Sequence, residues 1–339
     1  MSKIVLHIGT HKTGTTFIQS LFKSNAKFLA DHNVIVPSYG RGSGQHALVS
    51  VWNENQRPHR RFNAIQEWAD LSRKYGQTNK TVFVSSEEFS RLSPHRPDMK
   101  QLRKLLRGFH EVSVVCVLRD QASFIQSVYH QVSRRKNIPS VTDYLNQALA
   151  ANRVDGLSIH YSRLYSHLLT GFKRHEIHFV SYDVSRYNPF GLLEEFAEIM
   201  GLSAEVVGAL DHSKVVRNAS NQPLVNYVAN AIASEGPRNV ALLDLVRSTF
   251  DTVCGNVSNS TIFSRAEVDM IEAHCASSNR ALEERLIQYQ PGFHLPKMDR
   301  DDRLMYREDI PPEFWITLSQ RLVAKVPSPS WLKLVLPRK

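Results

Sequence analysis

The sequence predicts an α/β protein of three layers: a central parallel sheet of about four to five strands flanked by helices, with a C-terminal helical cover. Three observations lead there. Short apolar runs at 4–8, 81–85, 112–118 and 177–181 alternate with stretches of helical periodicity. The runs are apolar almost throughout, as strands covered on both faces are, rather than alternating as half-exposed strands do. The first run breaks into a turn rich in Gly and Thr with a single lysine, Gly9-Thr10-His11-Lys12-Thr13-Gly14-Thr15-Thr16, and then resumes as a helix, which is how a parallel sheet offers backbone N–H groups to an anion.

In chain order, Phe17, Ile18, Leu21, Phe22 and Leu29 give a helical stripe from Thr15 to about residue 30, and Val34-Ile35-Val36-Pro37 is a short extended piece. A loop of Gly and Ser precedes expected helices at about 45–54 and 61–75. The strand at 81–85 ends in Ser86-Glu87-Glu88, and a basic helix at about 97–108 leads to the strand at 112–118, which ends in Arg119-Asp120. Helices are expected at about 122–135, 158–173 and 189–200, with the strand at 177–181 between the last two ending in Tyr182-Asp183. Ligands of such sheets gather at the carboxyl ends of the strands, so these polar ends are expected to face one crevice. Beyond about residue 205 the periodicity is mostly helical (221–234, 238–249, 264–287), followed by a tail rich in Pro and charge. The expected division is an α/β core at 1–205 and a helical part at 206–339.

Composition narrows the function. Forty-two Lys and Arg against 32 Asp and Glu give a net charge of +10, which favours an anionic cosubstrate, an acidic polymer or peripheral contact with a membrane surface. No nucleic-acid motif accompanies the charge, so nucleic acid is not the expected partner. Three scattered cysteines form neither a disulfide framework nor a zinc pattern, and the histidines lack metal-ligand spacing. With the first strand starting near residue 3, and no apolar stretch approaching the roughly 18 residues of a membrane span, the expected location is the cytoplasm.

The loop departs from the nucleoside-triphosphate pattern G-x-x-x-x-G-K-[ST], in which a lysine reaches the terminal phosphates and a hydroxyl holds magnesium. Gly9 and Gly14 keep the glycine spacing, but Thr15 stands where the lysine should be and Lys12 lies in mid-loop. The second constellation is Arg119 at a strand tip and Ser127 two helical turns on, placed to converge on one anion. The third is Glu87 and Glu88, carboxylates delivered to the crevice by the neighbouring strand, with His46 as a rival proton acceptor. Trp52, Trp68 and Tyr129 are aromatic candidates for stacking on a sugar or adenine, or for the core.

Together the loop and the Arg-x7-Ser element resemble the sulfotransferases that use 3′-phosphoadenosine-5′-phosphosulfate (PAPS). Lys12-Thr13-Gly14-Thr15-Thr16 looks like the 5′-phosphosulfate element of that family, and Arg119 with Ser127 like its 3′-phosphate element. The wording from His7 to Gln19 resembles bacterial members more than the animal cytosolic enzymes. The resemblance implies a phosphate-loop fold and sulfuryl transfer to a hydroxyl without a metal. Residues 9–16 then bind the donor, Lys12 acts on the leaving phosphate, and Arg119, Ser127 and Arg217 grip the 3′-phosphate. Glu87, Glu88 or His46 would be the base. The acceptor implied is a carbohydrate or glycolipid, acidic acceptors included. Two alternatives stand beside this reading: a kinase or other ATP-dependent phosphotransferase with Asp120 on magnesium, and a non-catalytic module binding nucleotide or glycan.

Overall fold

The computed structural model describes residues 1–39, 42–133, 140–183, 188, 190–213, 222–233 and 240–325. Five strands form one parallel sheet in the order β2-β3-β1-β4-β7: β1 (Lys3–His7), β2 (Val34–Ile35), β3 (Thr81–Ser85), β4 (Glu111–Leu118) and β7 (Ile177–Ser181). A separate antiparallel hairpin is made by β5 (Arg153–Val154) and β6 (Leu157–Ser158). The expected α/β sheet is therefore present with five strands. β1 lies between β3 and β4, with His7 opposite Ser85 on one side and Val115 on the other. The chain leaves β1 toward β2 and β3 and later crosses to β4, so the carboxyl end of β1 is the switch point where such sheets bind ligands.

Alternation along β1 divides the core. Ile4, Leu6 and Ile8 face a cluster with Trp68, Phe89, Tyr161 and Tyr165, while Val5 faces Ile18, Phe22, Phe83 and Phe196. Helices cover both faces because both are apolar.

Local elements refine the expected ones. The helical stripe after the loop is two helices, Thr15–Ser24 and Ala26–Asp31, broken at Asn25, whose amide donates to Leu21 O and Asp211 O. The expected helix at 45–54 is a pair of 3-10 turns, His46–Val51 and Glu54–Gln56. Among the described residues, two helices of ten residues or more were not anticipated. Val141–Ala151 precedes the hairpin, and Pro312–Lys325 occupies what reads as a charged tail.

At the sheet edge, the Gln290 amide takes both backbone groups of Phe179 in β7, donating to its carbonyl and accepting from its N–H, each at 3.0 Å. The β5–β6 turn approaches the loop after β3 even more closely. A Cβ on Gly156, which has φ +80°, would lie 1.9 Å from Ser93 O. Gly156→Ala is expected to destabilise the protein by about 2 kcal/mol or more, through backbone strain and displacement of the hairpin. Chemical denaturation checks this, and an unchanged midpoint would refute it.

The described residues fall in two compact units, one within 1–128, 146–213 and 271–298, the other within 129–145, 222–270 and 299–325. The first holds the sheet. The second is built on Leu224, Val228, Val246, Phe250, Phe314 and Leu318, with the Phe250 and Phe314 rings stacked 4.1 Å apart. No described helix is long and apolar enough to cross a membrane.

Candidate active site

The loop at the end of β1 is held against β4. Ile8 N donates to Val115 O, Thr10 N to Val117 O, and Val117 N to Gly9 O at 2.5 Å. Glycine is required where the loop passes β3: Gly9 has φ +100°, and a Cβ there would stand 3.2 Å from Glu87 Cα and Cβ. The Thr13 hydroxyl closes the turn on Thr10 O at 2.7 Å. Lys12, with φ 66°, stands at its crest. Gly14 begins the first helix in the left-handed region and supplies no side-chain cap. Phe17 N donates to Gly14 O at 3.0 Å, and the N–H groups that precede it at a helix start are the kind an anionic oxygen satisfies.

Arg119 reaches the same loop from β4, donating to Lys12 O at 3.4 Å, and its guanidinium lies over the Tyr182 ring at 5.1 Å. The Tyr161 hydroxyl fixes Arg119 by donating to its carbonyl at 2.6 Å. Tyr182 also flanks Gly14. Ser127 is half-buried on the helix Gln121–Val132, and its hydroxyl makes no hydrogen bond among the described residues. Arg217 lies outside the described residues. A phosphate or sulfate group suits this donor set of N–H groups, hydroxyls, a lysine and an arginine.

Beside the loop is an acidic turn. Glu87, 9% exposed, accepts the Thr15 hydroxyl at 2.5 Å and faces His46 Nδ1 at 3.7 Å. Burial alone would raise its pKa, but His11, His46 and the Thr15 hydroxyl favour the anion and hold it down at about 2. His46 is also bonded to the Ser86 hydroxyl at 2.8 Å, and its place is set by Gln45, which takes both backbone groups of Ser85 at 2.7 Å. Glu88 accepts Arg91 Nε at 3.0 Å and Asn53 Nδ2 at 3.4 Å, with His11 Nε2 at 3.6 Å. Burial keeps the His11 imidazole below its ordinary pKa despite both glutamates. His7, fully buried, is lowered to about 4 by the same cause and shares the Ser85 hydroxyl with Gln19.

The structure thus gathers residues 9–16, Glu87, Glu88, His46 and Arg119 at one end of the sheet. It assigns other residues to packing. Trp68 is wholly buried with its indole N–H on Leu48 O, Trp52 donates to Gln101, and Tyr129 packs on Tyr144. Asp120, the magnesium-binding acid of the kinase alternative, caps its helix by accepting Ser123 N at 2.7 Å. Sequence reasoning missed the parts played by Ser86, Arg91 and Asn53, and saw Tyr182 only as a polar strand end. No cluster of three or more His, Cys, Asp or Glu able to hold a metal occurs among the described residues.

A family model described as the sulfotransferase domain matches residues 3–238, spanning the loop, the acidic turn and the arginine strand. Among solved structures, a sulfotransferase from Alicyclobacillus acidocaldarius is 12% identical with a TM-score of 0.42, covering 71% of this chain and 98% of that one. Mouse sulfotransferase SULT7A1 complexed with PAP is 11% identical with a TM-score of 0.34, covering 95% and 89%. A retinol dehydratase in complex with androsterone and inactive cofactor PAP is 12% identical with a TM-score of 0.37, covering 81% and 80%. No curated protein matches the chain. A family model that runs through every element of the site settles its kind: the chain belongs to the sulfotransferase family and is a sulfuryl-transferring enzyme.

Proposed function

We propose that the protein transfers a sulfuryl group from PAPS to a hydroxyl of a carbohydrate or glycolipid. The observation that carries the donor reading is the convergence of Arg119 on Lys12 O, which brings a 3′-phosphate element and a 5′-phosphosulfate element to one loop. The donor, when bound, supplies an activated sulfuryl group on a phosphate that leaves readily. Residues 13–16 bind it through backbone N–H groups and the Thr16 hydroxyl, Arg119 and Ser127 hold its 3′-phosphate, and Lys12 stabilises charge on the departing oxygen. His46 takes the acceptor proton, since the neighbouring Glu87 carboxylate, held near 2, is a weak base. Glu87 then anchors both Thr15 and His46, and Glu88 is fixed by Arg91. The carbohydrate acceptor is supported by the likeness of residues 7–19 to bacterial members and by the net positive charge. The three free cysteines suit the cytoplasm.

A thermal-shift titration tests the donor reading. The nucleotide product 3′-phosphoadenosine 5′-phosphate should raise the melting temperature at concentrations where ADP and ATP do not, and Arg119→Ala should weaken its binding about tenfold or more. Equal shifts with ADP would overturn it. Transfer of radiolabelled sulfate to a panel of glycans and glycolipids tests the acceptor.

A further inference from the structure

A cavity of about 580 Å³ opens between the loop after β3, the β5–β6 hairpin, the helix Tyr161–Leu168 and the second half of the helix Arg265–Leu286. Four arginines line it, Arg96, Arg153, Arg163 and Arg285, with serine hydroxyls between them and no Asp or Glu. None of the four is paired with a carboxylate among the described residues. Elsewhere on this chain exposed arginines do find acids, as Arg73 does Asp70 and Arg265 does Glu308 and Asp309.

Two of the four are held in place. Arg96 donates through NH2 to His167 Nδ1 at 2.7 Å, while His167 Nε2 donates to Pro97 O at 3.0 Å, so this buried imidazole is neutral and orients the guanidinium. Burial and Arg96 together lower the His167 pKa to about 4. Arg285 donates to the Ser166 hydroxyl at 2.9 Å and lies over the Tyr165 ring at 4.6 Å. Four cations converging without a counter-charge repel one another, a cost that an anionic ligand removes.

The cavity is tied to the candidate active site. Arg91, the partner of Glu88, also donates to Asp155 O in the β5–β6 turn at 2.6 Å, and Leu92 N donates to Gly156 O. The segment that carries Glu88 and Arg91 thus runs directly into Leu92, which lines the cavity. Apart from His167 no aromatic ring lines the cavity, so it lacks the stacking platforms that single-stranded nucleic acid uses.

We propose that this cavity binds sulfate or carboxylate groups of an anionic glycan, holding a negatively charged stretch of the acceptor beyond the sugar being sulfated. The proposal rests on the carbohydrate reading above. Guanidinium forks suit both groups, which they bind in pairs of parallel hydrogen bonds.

The experiment measures direct binding of a fluorescent, sulfated hexasaccharide by anisotropy, with no donor present. Wild-type protein should bind it, and Arg153→Ala/Arg163→Ala should weaken binding about tenfold or more, two charge-assisted contacts being lost. Arg73→Ala/Lys74→Ala, which removes equal charge elsewhere, should change it less than twofold. Unchanged melting temperatures establish that all variants fold, and transfer of radiolabelled sulfate to a glycan by the wild-type protein tests the carbohydrate reading separately, so that its failure is distinguishable from failure here. Equal weakening in both double variants, or equal affinity for a single-stranded oligonucleotide, would overturn the proposal. Binding that persists in Arg153→Ala/Arg163→Ala would overturn it as well.

Discussion

Lys12→Ala is expected to lower kcat for sulfuryl transfer by about a hundred- to a thousandfold, the loss seen when one donor to a developing charge is removed. The melting temperature should hold. Lys12 has φ 66°, a backbone conformation alanine tolerates no better and no worse, so the substitution adds no new strain. Its side chain is the one amine in a loop otherwise made of Gly, Thr and His. The test is steady-state kinetics with varied donor. A fall in kcat at nearly constant KM assigns Lys12 to the transition state, whereas a rise in KM alone would assign it only to binding. A variant transferring sulfate at the wild-type rate would end the mechanism proposed for this loop.

The second large effect is at the Glu87 and His46 pair. Glu87→Ala removes a buried acceptor from the Thr15 hydroxyl and should cost about 1.5–3 kcal/mol of stability, the worth of a hydrogen bond to a charged group. The pH dependence has a definite sign. The folded pKa of about 2 lies below the ordinary 4.5, so the anion stabilises the fold above 4.5, and that contribution is lost as pH falls from 4.5 toward 2. Glu87→Gln should lack this part of the acid-induced loss, which denaturant titrations at pH 7 and pH 3.5 would measure. On catalysis, His46→Asn should lower kcat/KM about a hundredfold or more, the usual contribution of a general base. Glu87→Gln should act less severely. If Glu87→Gln were the more damaging and the acidic limb of the rate profile lay in the carboxylate range, Glu87 would be the base.

How much of this was legible in the sequence follows from where each feature gets its energy. β1, β3, β4 and β7 are buried on both faces, so their apolar runs announce themselves. The loop is legible for a local reason too, since its glycines answer backbone demands at Gly9 and Gly14. By contrast the break at Asn25 depends on Asp211, 186 residues away, and no window of sequence contains both. The helix Val141–Ala151 was readable in hindsight, with Ser140 and Asp143 exchanging capping hydrogen bonds. Pro311-Pro312 disguised the start of the last helix, although proline is at home in a first turn. In the site, Glu87 and His46 could be named, but their contacts could not. Those depend on the strand register that places Ser85 beside His7 and on the hydrogen bonds that hold Gln45 to Ser85, with one carboxylate on Thr15 and the imidazole on Ser86.

The Gln290 amide on β7 has a consequence for life in a crowded solution. An outer strand with unpaired N–H and C=O groups is a template on which another chain can assemble, and β7 has five residues against only two in β2 at the opposite edge. By occupying both groups of Phe179, one side chain interrupts that template near its middle. Gln290 serves as a strand of a single residue, ending the sheet at five and leaving an incoming chain no continuous ladder to extend.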